Sequence, residues 1–306
     1  MVSFLRNLGQ IYLYFRVFFF ISSLSDFRMG IAIKHPDWAR YLSEATGTFF
    51  LVLIVGCNVL VMSGAGAISI GSLLMCMIYT LGSVSGANFN PAVTFAILLS
   101  GRGKMTLKDA LAYMASQMAG GALAGLLTKA IFRDAFFLRV NPEYSVAKAM
   151  AVEVIYTMGL CYVVLNVATT ASQAGNQYFG LAIGFTVLSA AVAIGTISNC
   201  CLNPAVALGS ALAALMIKSQ PDLTHYHMYF LMPMLGAIFG ALAFYFVRRK
   251  DEYEPHGLGM LRLSQTDTEP QKTIVVESKV SAAPEPVIER NPSMAEVALT
   301  NSDDEH

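Results

Sequence analysis

Two long stretches of the chain contain no Asp, Glu, Lys or Arg: Ala45 to Gly101 and Val154 to Ile217. In and around them apolar residues run in blocks, broken by short polar segments. A helix needs about 20 apolar residues to cross a bilayer. On that measure the pattern predicts six spans, at about Tyr41 to Met62, Ile68 to Val84, Leu107 to Phe132, Val146 to Thr170, Gln177 to Ile197 and His227 to Val247. The third carries Gly120, Gly121, Ala124 and Gly125, small residues that permit close helix packing. The sixth is stopped by Arg248-Arg249-Lys250.

Each charge-free stretch also holds an irregular polar segment. The first reads Ser85-Gly86-Ala87-Asn88-Phe89-Asn90-Pro91-Ala92-Val93, the second Ser198-Asn199-Cys200-Cys201-Leu202-Asn203-Pro204-Ala205-Val206. Asn is a preferred helix N-cap, and Pro suits the first helical position. Asn90 and Asn203 should therefore each start a helix. The apolar runs that follow, Ala92 to Leu99 and Ala205 to Leu215, are too short to span a bilayer and read as half-helices. Non-helical backbone at membrane depth survives only when buried in protein or lining a watery cavity. One such half-helix in each half of the chain points to a pore or binding site near the midplane.

The same spacing marks a duplication. Glu44 precedes Asn90 by 46 residues, and Glu153 precedes Asn203 by 50. Three spans per copy is an odd number, so the copies must be inverted. The predicted fold is an all-α membrane protein with six transmembrane helices and two re-entrant half-helices. Its channel-like domain is expected over residues 39–250, with repeats at about 39–132 and 146–247. Arg6, Arg16, Arg28, Lys34, Arg102, Lys104, Lys108 and Arg248 to Lys250 fall on one side, against Arg133, Arg139 and Lys218 on the other, with Lys148 near that same boundary. By the positive-inside rule both termini should be cytoplasmic.

Composition adds the ends and removes other classes. Of 306 residues, 55% are hydrophobic and 13% charged, a polytopic membrane composition. The net charge of zero hides an acidic tail: from Asp251 onward there are twelve acidic and four basic residues. With five prolines as well, residues 251–306 read as a disordered cytoplasmic tail. Residues 1–38 form an N-terminal arm, in which the aromatic run Ile11 to Leu24 reads as an interfacial helix. The odd count of five cysteines, all in apolar stretches, argues against a disulfide framework. The histidines form no metal constellation: His225 and His227, two apart, face different sides of a helix. No cofactor motif or enzyme signature is present. The basic residues are scattered as topology requires, so nucleic acid is not indicated as a partner.

Glu44 and Glu153 stand near the starts of the first and fourth spans. An intramembrane carboxylate is a functional candidate by default. Each is expected to anchor the neighbouring irregular segment by accepting hydrogen bonds from its backbone N–H groups.

Taken together, the paired Asn-Pro-Ala segments resemble those of the aquaporin (major intrinsic protein) family. Further matches are Glu44-Ala45-Thr46-Gly47-Thr48-Phe49, Ser116-Gln117, Gly180-Leu181-Ala182-Ile183-Gly184, and Pro233 with Gly236-Ala237. The resemblance covers about residues 39–250. It implies a pore in each subunit of a homotetramer, set in a lipid bilayer and passing water or small neutral solutes. Its centre would be Asn90, Pro91, Ala92, Asn203, Pro204 and Ala205. Carbonyls of Gly86, Ala87, Asn88 and Phe89, and of Asn199, Cys200, Cys201 and Leu202, would line the rest of the path.

The chain departs from that family at one position of consequence. Val206 stands where an arginine of the outer filter is usual. The remaining filter positions map to Ile70, Ala191 and Cys200. With no charged, aromatic or histidine member, the filter should be wider and more apolar than in strict water channels. Urea, ammonia, hydrogen peroxide and glycerol are then candidate solutes beside water. Cys200 would be open to a thiol reagent. Asn199 also replaces a usual glycine. Two other classes stay open to the sequence: a structural or adhesion protein with a poorly conducting pore, and a coupled transporter built on broken helices.

Overall fold

The structure is a computed structural model that describes residues 37–216 and 223–253. The aromatic run at 11–24, the basic residue at 218 and the tail beyond 253 lie outside those residues. Eight α-helices follow in order: α1 Asp37–Leu60, α2 Gly66–Ser85, α3 Pro91–Leu99, α4 Leu107–Phe132, α5 Val146–Thr169, α6 Phe179–Ser198, α7 Pro204–Leu215 and α8 Met228–Arg248. Six are long and apolar enough to cross a membrane; α3 and α7 are not. The spans begin and end within about a turn of the places read from sequence. Local chemistry sets the boundaries. Thr106 caps α4 by accepting from Asp109 N at 3.0 Å, and Gly86, at φ 87°, ends α2 in a left-handed turn.

The helices pack as an inverted repeat. In one half α1 packs on α4; in the other α5 packs on α8. The half-helix α3 lies against α8, and α7 lies against α4, so each half-helix is gripped by the opposite half. The pairing of α2 with α6 closes the set. Exchanging the halves maps every one of these contacts onto another. The crossing of α2 and α6 shows the symmetry at atomic scale. A Cβ on Gly71 would lie 2.7 Å from the Gly184 carbonyl oxygen, and one on Gly184 2.6 Å from that of Gly71. Lipid supplies no hydrophobic force between helices, so such backbone approaches carry the association.

Two segments differ from the sequence reading. By its sequence the connection over 133–147, with Asn141-Pro142, reads as polar, but it is not merely a polar link. Its apolar residues fold back into the bundle, with Phe136 at 1% and Leu138 at 4% exposure. Asn141 fastens it by donating from Nδ2 to the Thr196 carbonyl, at 2.9 Å. The bundle also continues past residue 250. A π turn, Arg249–Tyr253, carries Glu252 inward to Arg102 at 2.8 Å, with both side chains buried. Arg102 also donates to the Thr169 carbonyl (3.2 Å) and lies over the Phe244 ring, while Glu252 accepts from Ala171 N (3.0 Å). This buried pair overrides the acidic composition that places Asp251 and Glu252 in a solvated tail.

Candidate functional site: a paired re-entrant pore

The irregular segments interrupt the helix ladder at the middle of the bundle. Gly86, Ala87 and Phe89 have φ of 87°, 53° and 51°; Asn199, Cys200 and Leu202 have 65°, 50° and 51°. The two segments thus adopt one backbone path twice. Left-handed geometry costs a non-glycine residue roughly 1–2 kcal/mol, so something must hold it. Asn199 tolerates this conformation better than most residues, and its Oδ1 accepts from Arg139 N at 2.8 Å. That bond accounts for an asparagine where a glycine was the expectation.

The two buried glutamates supply the hold. Glu44 accepts from Ser85 Oγ (2.6 Å), Asn88 N (3.0 Å), Phe89 N (2.7 Å) and Gln117 Nε2 (2.8 Å). Glu153 accepts from Ser198 Oγ (2.6 Å), Cys201 N (2.9 Å) and Leu202 N (2.9 Å). Every contact is a donor, as a carboxylate requires. Backbone N–H groups without a partner at this depth would each cost several kcal/mol. Gln117 further donates to Thr94 Oγ1 (2.8 Å), tying the first segment to α3. In the second half, Pro233 occupies the place of Gln117 along the helix.

Asn90 and Asn203 each do two things. The Oδ1 of Asn90 accepts from Ala92 N, and that of Asn203 from Ala205 N, both at 2.9 Å, which caps α3 and α7. Their amide nitrogens cross to the other half: Asn90 donates to the Leu202 carbonyl (2.8 Å) and Asn203 to the Phe89 carbonyl (3.0 Å). Each NH₂ has a second hydrogen left to offer. The half-helices therefore meet N-terminus to N-terminus, bringing two positive dipole ends together.

A cavity runs along this junction, with about 110 Å³ open to water centres. Its wall includes Asn90, Asn203 and the four residues that the family resemblance maps to an outer filter, Ile70, Ala191, Cys200 and Val206. The carbonyl-bearing segments contribute Gly86, Ala87, Asn88, Asn199, Cys201 and Leu202. The set of pore carbonyls needs two corrections, at Phe89 and at Leu202. Phe89 is fully buried, does not line the cavity, and spends its carbonyl on Asn203. The Leu202 carbonyl is likewise engaged by Asn90. The carbonyls of Gly86, Ala87 and Asn88, and of Asn199, Cys200 and Cys201, accept no backbone hydrogen bond among the described residues. Leu138 also lines the cavity, and sequence reasoning missed it. Its only signal was an apolar residue in a connection otherwise read as polar.

An arrangement of this kind, six spans around two opposed half-helices with a lined cavity through their meeting point, defines a membrane channel. The family model for the major intrinsic proteins matches residues 32–244. The chain belongs to that family, whose members are channels and not enzymes. It is 31% identical over 230 residues to "Aquaporin NIP1-1" of Zea mays, covering 72% of this chain and 78% of that one. It is 33% identical over 225 residues to "Putative aquaporin NIP4-1" of Arabidopsis thaliana (70% and 76%) and 34% identical over 234 residues to "Aquaporin NIP1-3" of rice, Oryza sativa (72% and 79%). Among solved structures, the aquaglyceroporin from Plasmodium falciparum aligns with a TM-score of 0.59 at 20% identity, covering 74% of this chain and all of that one. That likeness speaks for the fold. The protein is a multi-pass membrane channel for water or small solutes.

Proposed function

We propose that this channel passes water together with other small neutral solutes, such as urea, ammonia, hydrogen peroxide or glycerol, through a widened, apolar outer filter. The observation that carries the reading is Val206 in the cavity wall beside Ile70, Ala191 and Cys200, at the position where the family resemblance calls for arginine. Without that cation the ring neither narrows the opening by a guanidinium nor selects for a hydrogen-bonding solute. Cation exclusion then falls to the centre, where two helix N-termini converge and an ion would lose its hydration. A neutral solute exchanges its water contacts for the free hydrogens of Asn90 and Asn203 and the unpaired carbonyls beside them. The reading includes both termini on the cytoplasmic side, supported by the distribution of Lys and Arg, and a homotetramer with one pore per subunit, supported by family membership.

The test is stopped-flow swelling and shrinkage of proteoliposomes with water, urea and glycerol, for wild type and Val206→Arg. Wild type is expected to pass water and urea, and Val206→Arg to pass water alone. The apolar ring supports one competing reading, a pore that dewets and conducts poorly. Wild-type vesicles that pass nothing, while Val206→Arg restores water flow, would establish it instead.

A further inference from the structure

We infer that the pore carries a second ring of apolar residues on the other side of the paired asparagines, and that Ile78 in this ring sets the largest solute that crosses. The inference rests on the channel reading above. A shift of 113 residues relates Asn90 to Asn203, and also relates Gly71 to Gly184, which touch across the α2–α6 crossing. The same shift relates the left-handed residues of one re-entrant segment to those of the other. Applied to the outer filter, it carries Ile70 to Ile183, Ala191 to Ile78, Cys200 to Ala87 and Val206 to Val93. All four images line the cavity as well.

Position by position, the two rings are nearly matched. Isoleucine faces isoleucine, valine faces valine, and a thiol corresponds to a methyl group. The remaining pair is unequal: Ile78 puts a branched butyl group where Ala191 has a methyl. The inner ring is therefore the bulkier. Accessibility agrees. All four inner residues are buried, Ile78 at 2%, Val93 at 3%, Ile183 at 6% and Ala87 at 7%. In the outer ring Ile70, Ala191 and Cys200 keep partial access, and Val206 alone is buried. Phe179, whose image is Gly66, adds an aromatic ring to the inner side of the wall. Loss of the outer arginine thus moves the narrow point inward. Because the inner ring has no polar side chain, it sorts solutes by bulk and by the hydrogen bonds they must shed. Water and ammonia satisfy both demands; a polyol such as glycerol, which the outer ring admits, is slowed most at Ile78.

The experiment measures glycerol-to-water permeability ratios in proteoliposomes of wild type, Ile78→Ala, Ile78→Val, Ala191→Ile and the Ile78→Ala/Ala191→Ile double variant. Each protein is first checked for monodisperse elution. Ile78→Ala should raise the ratio on the order of tenfold, the scale on which a methylene or two decides fit in an apolar site. Ile78→Val should raise it less. Ala191→Ile should lower the wild-type ratio by less than Ile78→Ala raises it, and should bring the double variant back toward a low ratio. A ratio indifferent to Ile78 and lowered by Ala191→Ile overturns the inference while leaving the channel reading intact. Absence of water and solute flux in wild type and every variant overturns the channel reading, and the inference with it.

Discussion

Replacing Glu153 by Gln keeps shape and volume but removes one acceptor from a buried set of three donors. Oε1 receives Ser198 Oγ and Cys201 N, and Oε2 receives Leu202 N. The amide fits best with its oxygen at the Oε1 place, because two donors converge there. Its NH₂ then faces the Leu202 N–H, donor against donor. One charge-assisted bond is lost, a buried N–H is stranded, and the two remaining bonds weaken from charged to neutral. A stranded buried donor costs about 1–3 kcal/mol, and a bond to a charged group is worth about 1.5–3 against 0.5–1.5 for a neutral one. Together these come to about 3–6 kcal/mol, of which the charge no longer buried returns part, leaving a loss of about 2–4 kcal/mol. The effect does not stop at Leu202, whose carbonyl receives the Asn90 amide, so the pore centre shifts too. The purified protein should melt about 5–10 °C lower, and its water permeability should fall. Ser198→Ala is the control: it takes one donor away, leaves both backbone N–H groups on Glu153, and should cost about 1 kcal/mol. Glu153→Gln that melts and conducts like wild type, or like Ser198→Ala, would refute the anchoring argument.

Two further outcomes follow from contacts described above. Gly125→Ala would place a Cβ 1.9 Å from the Gly209 carbonyl oxygen; with backbone on both sides, α4 and α7 must part, at about 3 kcal/mol or more, and a thermal melt unchanged from wild type would count against that. Glu252→Gln breaks a buried ion pair from one side and should cost about 3–5 kcal/mol, whereas replacing both Arg102 and Glu252 by Met should recover much of the loss; a double variant no more stable than the single one, in the same thermal assay, would show that the pair is not coupled.

What could be read from the chain beforehand was whatever leaves a local trace. Six spans follow from long apolar runs with few charges, and α3 and α7 from an Asn-Pro start and a run too short to cross. The donors around Glu44 and Glu153 were legible because a carboxylate buried in an apolar region has to be satisfied by something nearby. The identity of the carbonyls open to a solute was not legible. Phe89 and Leu202 are engaged by asparagines in the opposite half, and a partner so far along the chain leaves no pattern in the segment itself. Leu138 was hidden by its polar neighbours, and the bonds from Asn141 to the end of α6 and from Arg139 N to Asn199 show why the connection folds inward. Glu252 misled in the opposite sense. Its acidic surroundings assign it to a solvated tail, but Arg102 draws this residue into the bundle.

The crossed bonds at the pore centre also constrain the order in which the molecule can be made. A ribosome delivers α1 to α4 before Asn203 exists. Until α7 arrives, the Phe89 carbonyl and the crossing hydrogen of Asn90 lack their mates, and the flank of α3 that packs on α8 has only lipid to face. During synthesis of its own half the first re-entrant segment has its Glu44 and Gln117 bonds but neither of its crossing bonds. The pore centre is completed only once the second half has been inserted. A nascent chain released between α4 and α5 holds no half-pore, and a stall in translation there yields four helices without a conducting path.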